Sequence, residues 1–276
     1  MLNFLHMFEP SPIAFAIGPL GVHWYGLLLG AAVLAGYWLV GKLAPKQGLP
    51  KGVALGIFVN ALIGGFVGAR LYHVVTDWGF YGAHPDQIIA VWNGGLAIHG
   101  AMLGSAAVVL YGAKKHHLNI WKLADVFAVA AILGQAIGRW GNYFNQELFG
   151  RPTDFALGIP ISPINRPSGF LQYEYFHPAF LYESLVNFAI FGILLLVFKK
   201  QNTPPVSPPY QGGVRGGLIF WLYLGLYSGG RIIVESFKIN DAAMVGSLRL
   251  PLLVSVLLAA GAMVALLKPL AAKHKP

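Results

Sequence analysis

Ionisable residues interrupt several long apolar stretches of this sequence, and their types could bind an anion and transfer a proton. Charge is costly among apolar residues, so each such residue is a candidate functional group whose partner must be identified. The candidates are three arginines, a histidine and two glutamates: Arg70, Arg139, Arg231, His99, Glu183 and Glu235. Guanidinium groups suit the two-pronged binding of phosphate, and an imidazole can accept a proton near neutral pH.

The richest polar segment covers residues 138–150, Gly-Arg-Trp-Gly-Asn-Tyr-Phe-Asn-Gln-Glu-Leu-Phe-Gly. Its glycines permit a close approach of the backbone. Asn142, Asn145 and Glu147 supply donors and acceptors beside Arg139. This composition predicts a binding loop rather than an ordinary turn.

Two further segments allow a structural and a functional interpretation. Residues 94–100 set His99 among small residues, but a lone histidine on an apolar helix is more often a buried core group than a base. In residues 227–235, paired glycines precede Arg231, and such pairs also serve plain helix packing. Arg231 and Glu235 are four residues apart and can neutralise one another. A single arginine near a helix end can also extend to the lipid headgroups.

The composition of the chain indicates an integral membrane protein. Of its 276 residues, 56% are hydrophobic and only 11% are charged, whereas soluble proteins carry about a quarter. The net charge of +9 does not indicate nucleic-acid binding, because the basic residues fall between long apolar runs instead of on one surface. The chain has no cysteine and its histidines are scattered, so we expect no disulfide, metal site, cofactor or catalytic thiol of its own.

The elements that must position these residues are membrane-spanning helices. About 20 apolar residues are needed for each crossing, which predicts an all-α protein with about seven spans in a single polytopic domain over residues 1–276. Six or eight crossings are also compatible with the sequence. The predicted spans are residues 19–41, 53–75, 92–113, 121–140, 179–198, 215–237 and 249–268.

The distribution of positive charge predicts the orientation. Most Lys and Arg residues outside the spans fall in every second connection, and these connections lie on one side of the membrane. Because cytoplasmic connections carry the excess of positive charge, the N-terminus is predicted outside and the C-terminus in the cytoplasm. In this orientation the first six spans all bring their polar residues to the outer side, Tyr25 included. Residues 141–178, rich in proline and aromatic residues, predict a small external cap between the fourth and fifth spans. Residues 201–213 predict a Pro-rich cytoplasmic linker.

These motifs together resemble the bacterial prolipoprotein diacylglyceryl transferase family. The 138–150 segment matches that family's signature apart from Tyr143 in place of Phe. One departure is Ala101-Met102 after His99-Gly100, where the family usually has Gly-Leu. Further matches lie at residues 23–26 (His-Trp-Tyr-Gly), 68–71 (Gly-Ala-Arg-Leu), 177–183 (His-Pro-x-x-Leu-Tyr-Glu) and 230–235 (Gly-Arg-x-x-x-Glu).

The resemblance implies transfer of the diacylglyceryl group of phosphatidylglycerol to the lipobox cysteine of a prolipoprotein signal peptide. A thioether forms and glycerol phosphate is released. The resemblance also implies that the protein lies in the inner membrane of a bacterium. Its site would face the outer leaflet, with membrane lipid around it. Under this hypothesis Arg139 and Arg231 stabilise the leaving phosphate, and His99 accepts the thiol proton unless the arginines alone favour the thiolate. The expected substrate-binding residues are Tyr25, Arg70, Asn142, Asn145, Glu147, Glu183, Tyr227 and Glu235.

Two other classes of function remain open from the residues alone. Buried arginines could escort an anionic phospholipid across the membrane in a transporter or scramblase, although the inner halves of the spans look apolar and no internal repeat is evident. A receptor that binds lipid or signal peptides without catalysis would keep the arginines but has less need of His99.

Overall fold

The computed structural model describes residues 3–201, 216–239, 244–245 and 248–272. Apart from Gln201, the predicted linker at 201–213 lies outside the described residues. The described chain forms two compact units. Of the described residues, the larger unit contains 3–36, 128–201, 218–239, 244–245 and 248–272, and the smaller unit contains 37–127 and 216–217.

The chain is mostly helical. In chain order the helices are α1 (Asn3–Met7), α2 (Trp24–Leu43), α3 (Lys51–Thr76), α4 (Trp78–Ala83), α5 (Ile98–Lys115), α6 (Ile120–Phe144), α7 (Ala179–Gln201), α8 (Leu218–Glu235) and α9 (Leu250–Ala272). Six helices within the described ranges are long and apolar enough to cross a membrane, namely α2, α3, α6, α7, α8 and α9.

Two predicted spans begin five or six residues later than expected. The first starts at Trp24 because the residues before it form an antiparallel hairpin of β1 (Ile13–Ile17) and β2 (Leu20–His23). The third starts at Ile98, because Gly94 and Gly95 have positive φ angles of 87° and 77°, which a helix does not accommodate. This third helix, α5, has 18 residues and ends in two lysines, and it is not among the six.

The connection between α6 and α7 contains a second hairpin, β3 (Ile159–Pro160) with β4 (Tyr175–Phe176). It packs on an apolar cluster of its own. That cluster consists of Tyr143, Phe149, Ile159, Ile161, Phe176 and Phe180. Helix α6 extends to Phe144, so the irregular part of the predicted 141–178 segment begins after its first four residues. A third hairpin joins β5 (Met244–Val245) to β6 (Leu248–Arg249).

Small residues bring the helices of each unit close together. In the smaller unit, a Cβ atom on Gly68 would overlap the carbonyl oxygen of Gly100, so α3 and α5 are in backbone contact. In the larger unit, the Ser184 hydroxyl on α7 donates to the Ala136 carbonyl of α6 at 2.9 Å. On α8, an added Cβ at Gly230 would lie 2.7 Å from a methyl group of Val186 on α7. These contacts fix the ends of α6, α7 and α8 that carry the candidate residues.

Candidate functional site

Charged side chains from three helix ends of the larger unit form one connected cluster. Arg139 lies near the end of α6, Glu183 in the first turns of α7, and Arg231 in the last turns of α8. The Arg139 Nε atom is 2.6 Å from Glu183 Oε2, and the Arg231 Nη1 atom is 3.3 Å from the same oxygen. Two arginines that are 92 positions apart in sequence therefore meet on one carboxylate oxygen.

Glu235 extends this cluster along α8. Its Oε2 atom is 3.2 Å from Arg231 Nη2, so the pair four residues apart is formed. Arg231 nevertheless contacts both Glu183 and Glu235. The alternative in which Arg231 and Glu235 only neutralise one another therefore does not describe its full environment.

Two cations of this cluster were not predicted from the sequence. The Lys238 ammonium forms an ion pair with Glu183 Oε1, and Arg249 Nη1 lies 3.3 Å from Glu235 Oε1. Arg249 Nη1 also donates to the backbone carbonyl of Lys238 at 3.2 Å. In the sequence both residues look like loop charges that set orientation, and the only available signal was that Lys238 follows Glu235 by three residues. We call the six residues Arg139, Glu183, Arg231, Glu235, Lys238 and Arg249 the ion cluster.

Within the ion cluster, the negatively charged side chains are more deeply buried than the arginines Arg139 and Arg231. The side chains of Glu183 and Glu235 are 4% and 6% exposed, whereas those of Arg139 and Arg231 are 19% and 20% exposed. The accessible face of the cluster therefore presents guanidinium groups, with the carboxylates behind them. Four cations surround two carboxylates, which leaves an excess of positive charge for an anionic ligand.

Lys238 is the most enclosed cation of the ion cluster, with a side chain that is 5% exposed. Burial lowers the pKa of its ammonium group below the ordinary value, since a charged amine loses hydration there. The Glu183 carboxylate opposes this change and the positive charge of Arg231 adds to it. The Glu183 carboxylate thus favours the charged form of Lys238.

Polar side chains of the 138–150 segment continue from the ion cluster in a chain of hydrogen bonds. Arg139 Nη1 donates to Asn142 Oδ1 at 3.3 Å, and Asn142 Nδ2 donates to Glu147 Oε1 at 2.8 Å. Asn145 Nδ2 donates to the same Glu147 oxygen at 3.4 Å. Asn142 is buried, whereas Glu147 is exposed. The chain therefore leads from the ion cluster to the surface of the unit.

Gln146 is a further residue that the sequence did not single out. It is buried, has a positive φ of 52°, and donates from Nε2 to the Pro10 carbonyl at 2.8 Å. Its Oε1 accepts from the Ser162 backbone N–H at 2.7 Å and from Asn165 Nδ2 at 3.1 Å. One amide group therefore joins the N-terminal segment, the 138–150 segment and the connection to α7.

The two candidate tyrosines of the larger unit lie on α2 and α8. A Cβ atom on Gly141 would overlap the ring of Tyr25, so this glycine allows the ring to approach α6. Tyr227 lies one helical turn before Arg231, and its ring stacks on Tyr223 with 5.8 Å between centroids. Tyr25 is 41% exposed and keeps an accessible face for a ligand.

Arg70 lies in the smaller unit, and its guanidinium is engaged by the backbone. It donates five hydrogen bonds to carbonyl oxygens and lies over the Tyr81 ring at 5.1 Å. A guanidinium has five N–H groups, so these contacts occupy its donors. The geometry therefore favours a role in holding residues 87–95 over direct contact with a ligand. The accepting carbonyls belong to Gln87, Ile88, Ala90, Gly94 and Gly95.

His99 also lies in the smaller unit, as the second residue of α5. Its ring centroid is 5.9 Å from that of Tyr72, and the residue is exposed. An exposed imidazole does not fit the alternative of a core histidine. Throughout the described ranges, no three His, Asp or Glu side chains come together in a way that could hold a metal ion.

Comparison with known proteins extends over almost the whole chain. Residues 12–268 match the sequence model of a protein family described as prolipoprotein diacylglyceryl transferase. A phosphatidylglycerol–prolipoprotein diacylglyceryl transferase of Synechococcus elongatus is 42% identical over 257 residues, which cover 91% of this chain and 85% of that protein. The protein of the same name from Bacillus licheniformis is 39% identical over 255 residues, with coverages of 91% and 89%.

Proposed function

Because the chain belongs to the prolipoprotein diacylglyceryl transferase family, we propose that its ion cluster binds the phosphate of the lipid substrate. The protein is a membrane-bound enzyme that transfers the diacylglyceryl group of phosphatidylglycerol to a prolipoprotein. The family favours this reaction over transport or scrambling of an anionic phospholipid.

One observation supports the proposed phosphate site above the others. Arg139 and Arg231 contact a single oxygen of Glu183, and their guanidinium groups are the accessible side of a cluster with excess positive charge. A phosphodiester carries one negative charge and offers two free oxygens, which suits two adjacent guanidinium groups. Glu183 holds both groups in position before the lipid arrives, so less free energy is lost in ordering them.

The proposed chemistry is a displacement at the glycerol carbon that bears the phosphoester. The sulfur of the lipobox cysteine forms a bond to this carbon, and the bond from the carbon to the phosphate oxygen breaks. The products are a thioether and glycerol phosphate, and the thiol proton passes to a base. The enzyme has no cysteine, so the sulfur comes from the prolipoprotein.

Arg139 and Arg231 would act on the leaving group in this reaction. A phosphodiester gains a second negative charge as it becomes a monoester, and both guanidinium groups stabilise that added charge. Donors that are oriented toward developing charge typically contribute about 3 to 4 kcal/mol each. His99 is the proposed acceptor of the thiol proton, since its imidazole is exposed and a ring nitrogen can accept a proton.

The remaining candidates have supporting roles in this proposal. Asn142, Asn145 and Glu147 connect the ion cluster to the surface and would orient the lipid headgroup or the peptide. Tyr25 and Tyr227 would contact the same substrates from α2 and α8. Glu235 keeps Arg231 and Arg249 in place. Arg70 would act by holding residues 87–95, which precede His99.

The enzyme is a multi-pass membrane protein. We propose that α5 crosses the membrane as a seventh span, with the N-terminus outside and the C-terminus in the cytoplasm of a bacterium. In this arrangement the ends of α6 and α8 and the start of α7 lie toward the outer leaflet. Residues 145–178 would then form an external cap beside the ion cluster.

Purified protein in vesicles of phosphatidylglycerol, supplied with a lipobox peptide, tests the proposed function. We expect the peptide to gain the mass of a diacylglyceryl group on its cysteine, and glycerol phosphate to appear in equal amount. A peptide with serine in place of the cysteine should remain unmodified. Movement of labelled lipid between leaflets without any thioether product would contradict the proposal and support a scramblase.

A further inference from the structure

A polar cleft of about 400 Å³ lies beside the 138–150 segment in the larger unit. Clefts of this volume fall within the usual range for ligand sites. Its walls come from two segments that are far apart in sequence, residues 9–12 and residues 145–165. The lining residues are Glu9, Pro10, Ser11, Pro12, Asn145, Gln146, Ser162 and Asn165.

From this cleft we infer a binding site for the extended polypeptide that directly follows the lipobox cysteine of the prolipoprotein. The inference rests on the proposed function, since it concerns the second substrate of that reaction. The expected occupant is a short polar segment in extended conformation.

Side-chain hydrogen bonds connect the cleft to the ion cluster. Asn145 lines the cleft and donates to Glu147, whose carboxylate also accepts from Asn142, the partner of Arg139. A chain of direct contacts therefore joins the proposed reaction site to the cleft. A cysteine held at the ion cluster can continue into the cleft within a few residues, because an extended chain advances about 3.3 Å per residue.

The polar lining of the cleft suits a polypeptide backbone. Asn145, Asn165 and Ser162 offer amide and hydroxyl groups, which match the N–H and C=O groups of an extended backbone. A phospholipid headgroup would favour cations, but the single charged residue of this lining is the acidic Glu9. Acyl chains would require an apolar surface. A polypeptide backbone is the part of the two substrates that fits these groups.

Hydrogen bonds hold the two walls of the cleft together. Gln146 is buried beneath the cleft and joins both walls, through the Pro10 carbonyl on one side and the Ser162 N–H on the other. The Ser162 hydroxyl donates to Glu9 at 2.5 Å and forms a second link between the walls. A cleft that is already ordered loses little entropy when a flexible peptide binds.

The residues that follow the substrate cysteine leave the membrane on the side where this cleft is proposed to lie. The apolar part of a signal peptide precedes its cysteine and remains in the membrane, so the residues after the cysteine leave toward the outer surface. In the proposed orientation the cleft belongs to the external cap. It therefore lies on the side toward which these residues extend.

Two peptides and two variants test this inference. The short peptide ends one residue after the lipobox cysteine, and the long peptide carries four further residues. The variant Asn165→Trp fills the cleft from an exposed position of its rim. The matched control is Ile164→Trp, because Ile164 is the neighbouring residue, is 91% exposed and does not line the cleft.

We expect the unaltered enzyme to have a KM for the long peptide about tenfold below that for the short peptide, which corresponds to about two net hydrogen bonds. Asn165→Trp should remove this advantage and leave kinetics with the short peptide unchanged, whereas Ile164→Trp should retain it. Equal KM values for both peptides in the unaltered enzyme, or an advantage that survives Asn165→Trp, would overturn the inference. No transfer to either peptide would instead refute the proposed function on which it rests.

Discussion

The Nε atom of Arg139 lies 2.6 Å from Oε2 of Glu183, in an ion pair that joins the end of α6 to the beginning of α7. Glu183 is the buried centre of the ion cluster, because Arg231 and Lys238 also contact its carboxylate. One acidic side chain therefore sets the distance between two guanidinium groups.

Glu183→Gln should destabilise the protein and reduce transfer more than a hundredfold. The substitution leaves three cations close together without their common counterion, and breaking a buried ion pair costs about 3 to 5 kcal/mol. The melting temperature in detergent and the rate of thioether formation measure the two effects. Glu174→Gln is the control, since Glu174 is an exposed glutamate of the same larger unit. Unchanged melting and activity in Glu183→Gln would contradict a central role for this carboxylate.

Arg70→Lys should lower kcat and thermal stability without changing the KM for phosphatidylglycerol. A lysine has three donors and cannot replace five hydrogen bonds to residues 87–95. Tyr81→Phe keeps the aromatic ring beneath the guanidinium and should behave as the unaltered enzyme. A rise in the KM for the lipid with normal stability would show that Arg70 binds the phosphate directly.

Gln146→Leu should lower the stability of the larger unit. It removes the partner of the Pro10 carbonyl and of the Ser162 N–H, and each buried polar group left without a hydrogen bond costs about 1 to 3 kcal/mol. Thermal unfolding in detergent and the rate of proteolysis in residues 150–175 measure the loss. The same change at the exposed Gln172 is the control. If both variants melt alike, Gln146 does not hold these segments together.

Lys238 predicts a pH dependence of stability. Burial lowers its pKa in the folded state, so between the lowered pKa and the ordinary pKa of about 10.4 the unfolded chain binds more protons than the folded chain. The cost of burying the ammonium is present below this window and is relieved as the pH rises through it. The unaltered protein should therefore gain stability relative to Lys238→Met as the pH increases toward 10.

Melting temperatures of both proteins across pH 7 to 10 measure this difference. Subtracting the two melting temperatures at each pH removes the contribution of the other titrating groups, which both proteins share. A difference that does not change with pH, or that changes in the opposite direction, would contradict a lowered pKa for Lys238.

The sequence predicts a large part of the ion cluster because charge within apolar spans is rare and costly. Arg139, Glu183, Arg231 and Glu235 could be assigned to one side of the membrane from the positions of the spans and the orientation that the loop charges predict. Lys238 and Arg249 could not, since a basic residue in a loop is ordinarily explained by membrane orientation. Their ion pairs with Glu183 and Glu235 are evident only in the structure.

For Arg70 and Gln146, the sequence does not predict which groups the side chain contacts. An arginine in a span can bind a ligand or its own backbone, and the choice depends on how residues 87–95 fold over it. Gln146 is neutral and adopts a positive φ, which neither hydrophobic periodicity nor charge can indicate. The late start of α5 likewise follows from the backbone of Gly94 and Gly95, although the apolar run begins earlier.

The kcat/KM for phosphatidylglycerol in Arg139→Lys and Arg231→Lys tests most directly whether the two guanidinium groups bind one phosphate. Lysine keeps the positive charge but loses the paired donors, so each folded variant should fall by about a hundredfold or more. Arg151→Lys, at an exposed position of the same larger unit, should retain full activity. Full activity in properly folded Arg139→Lys and Arg231→Lys variants would contradict the account.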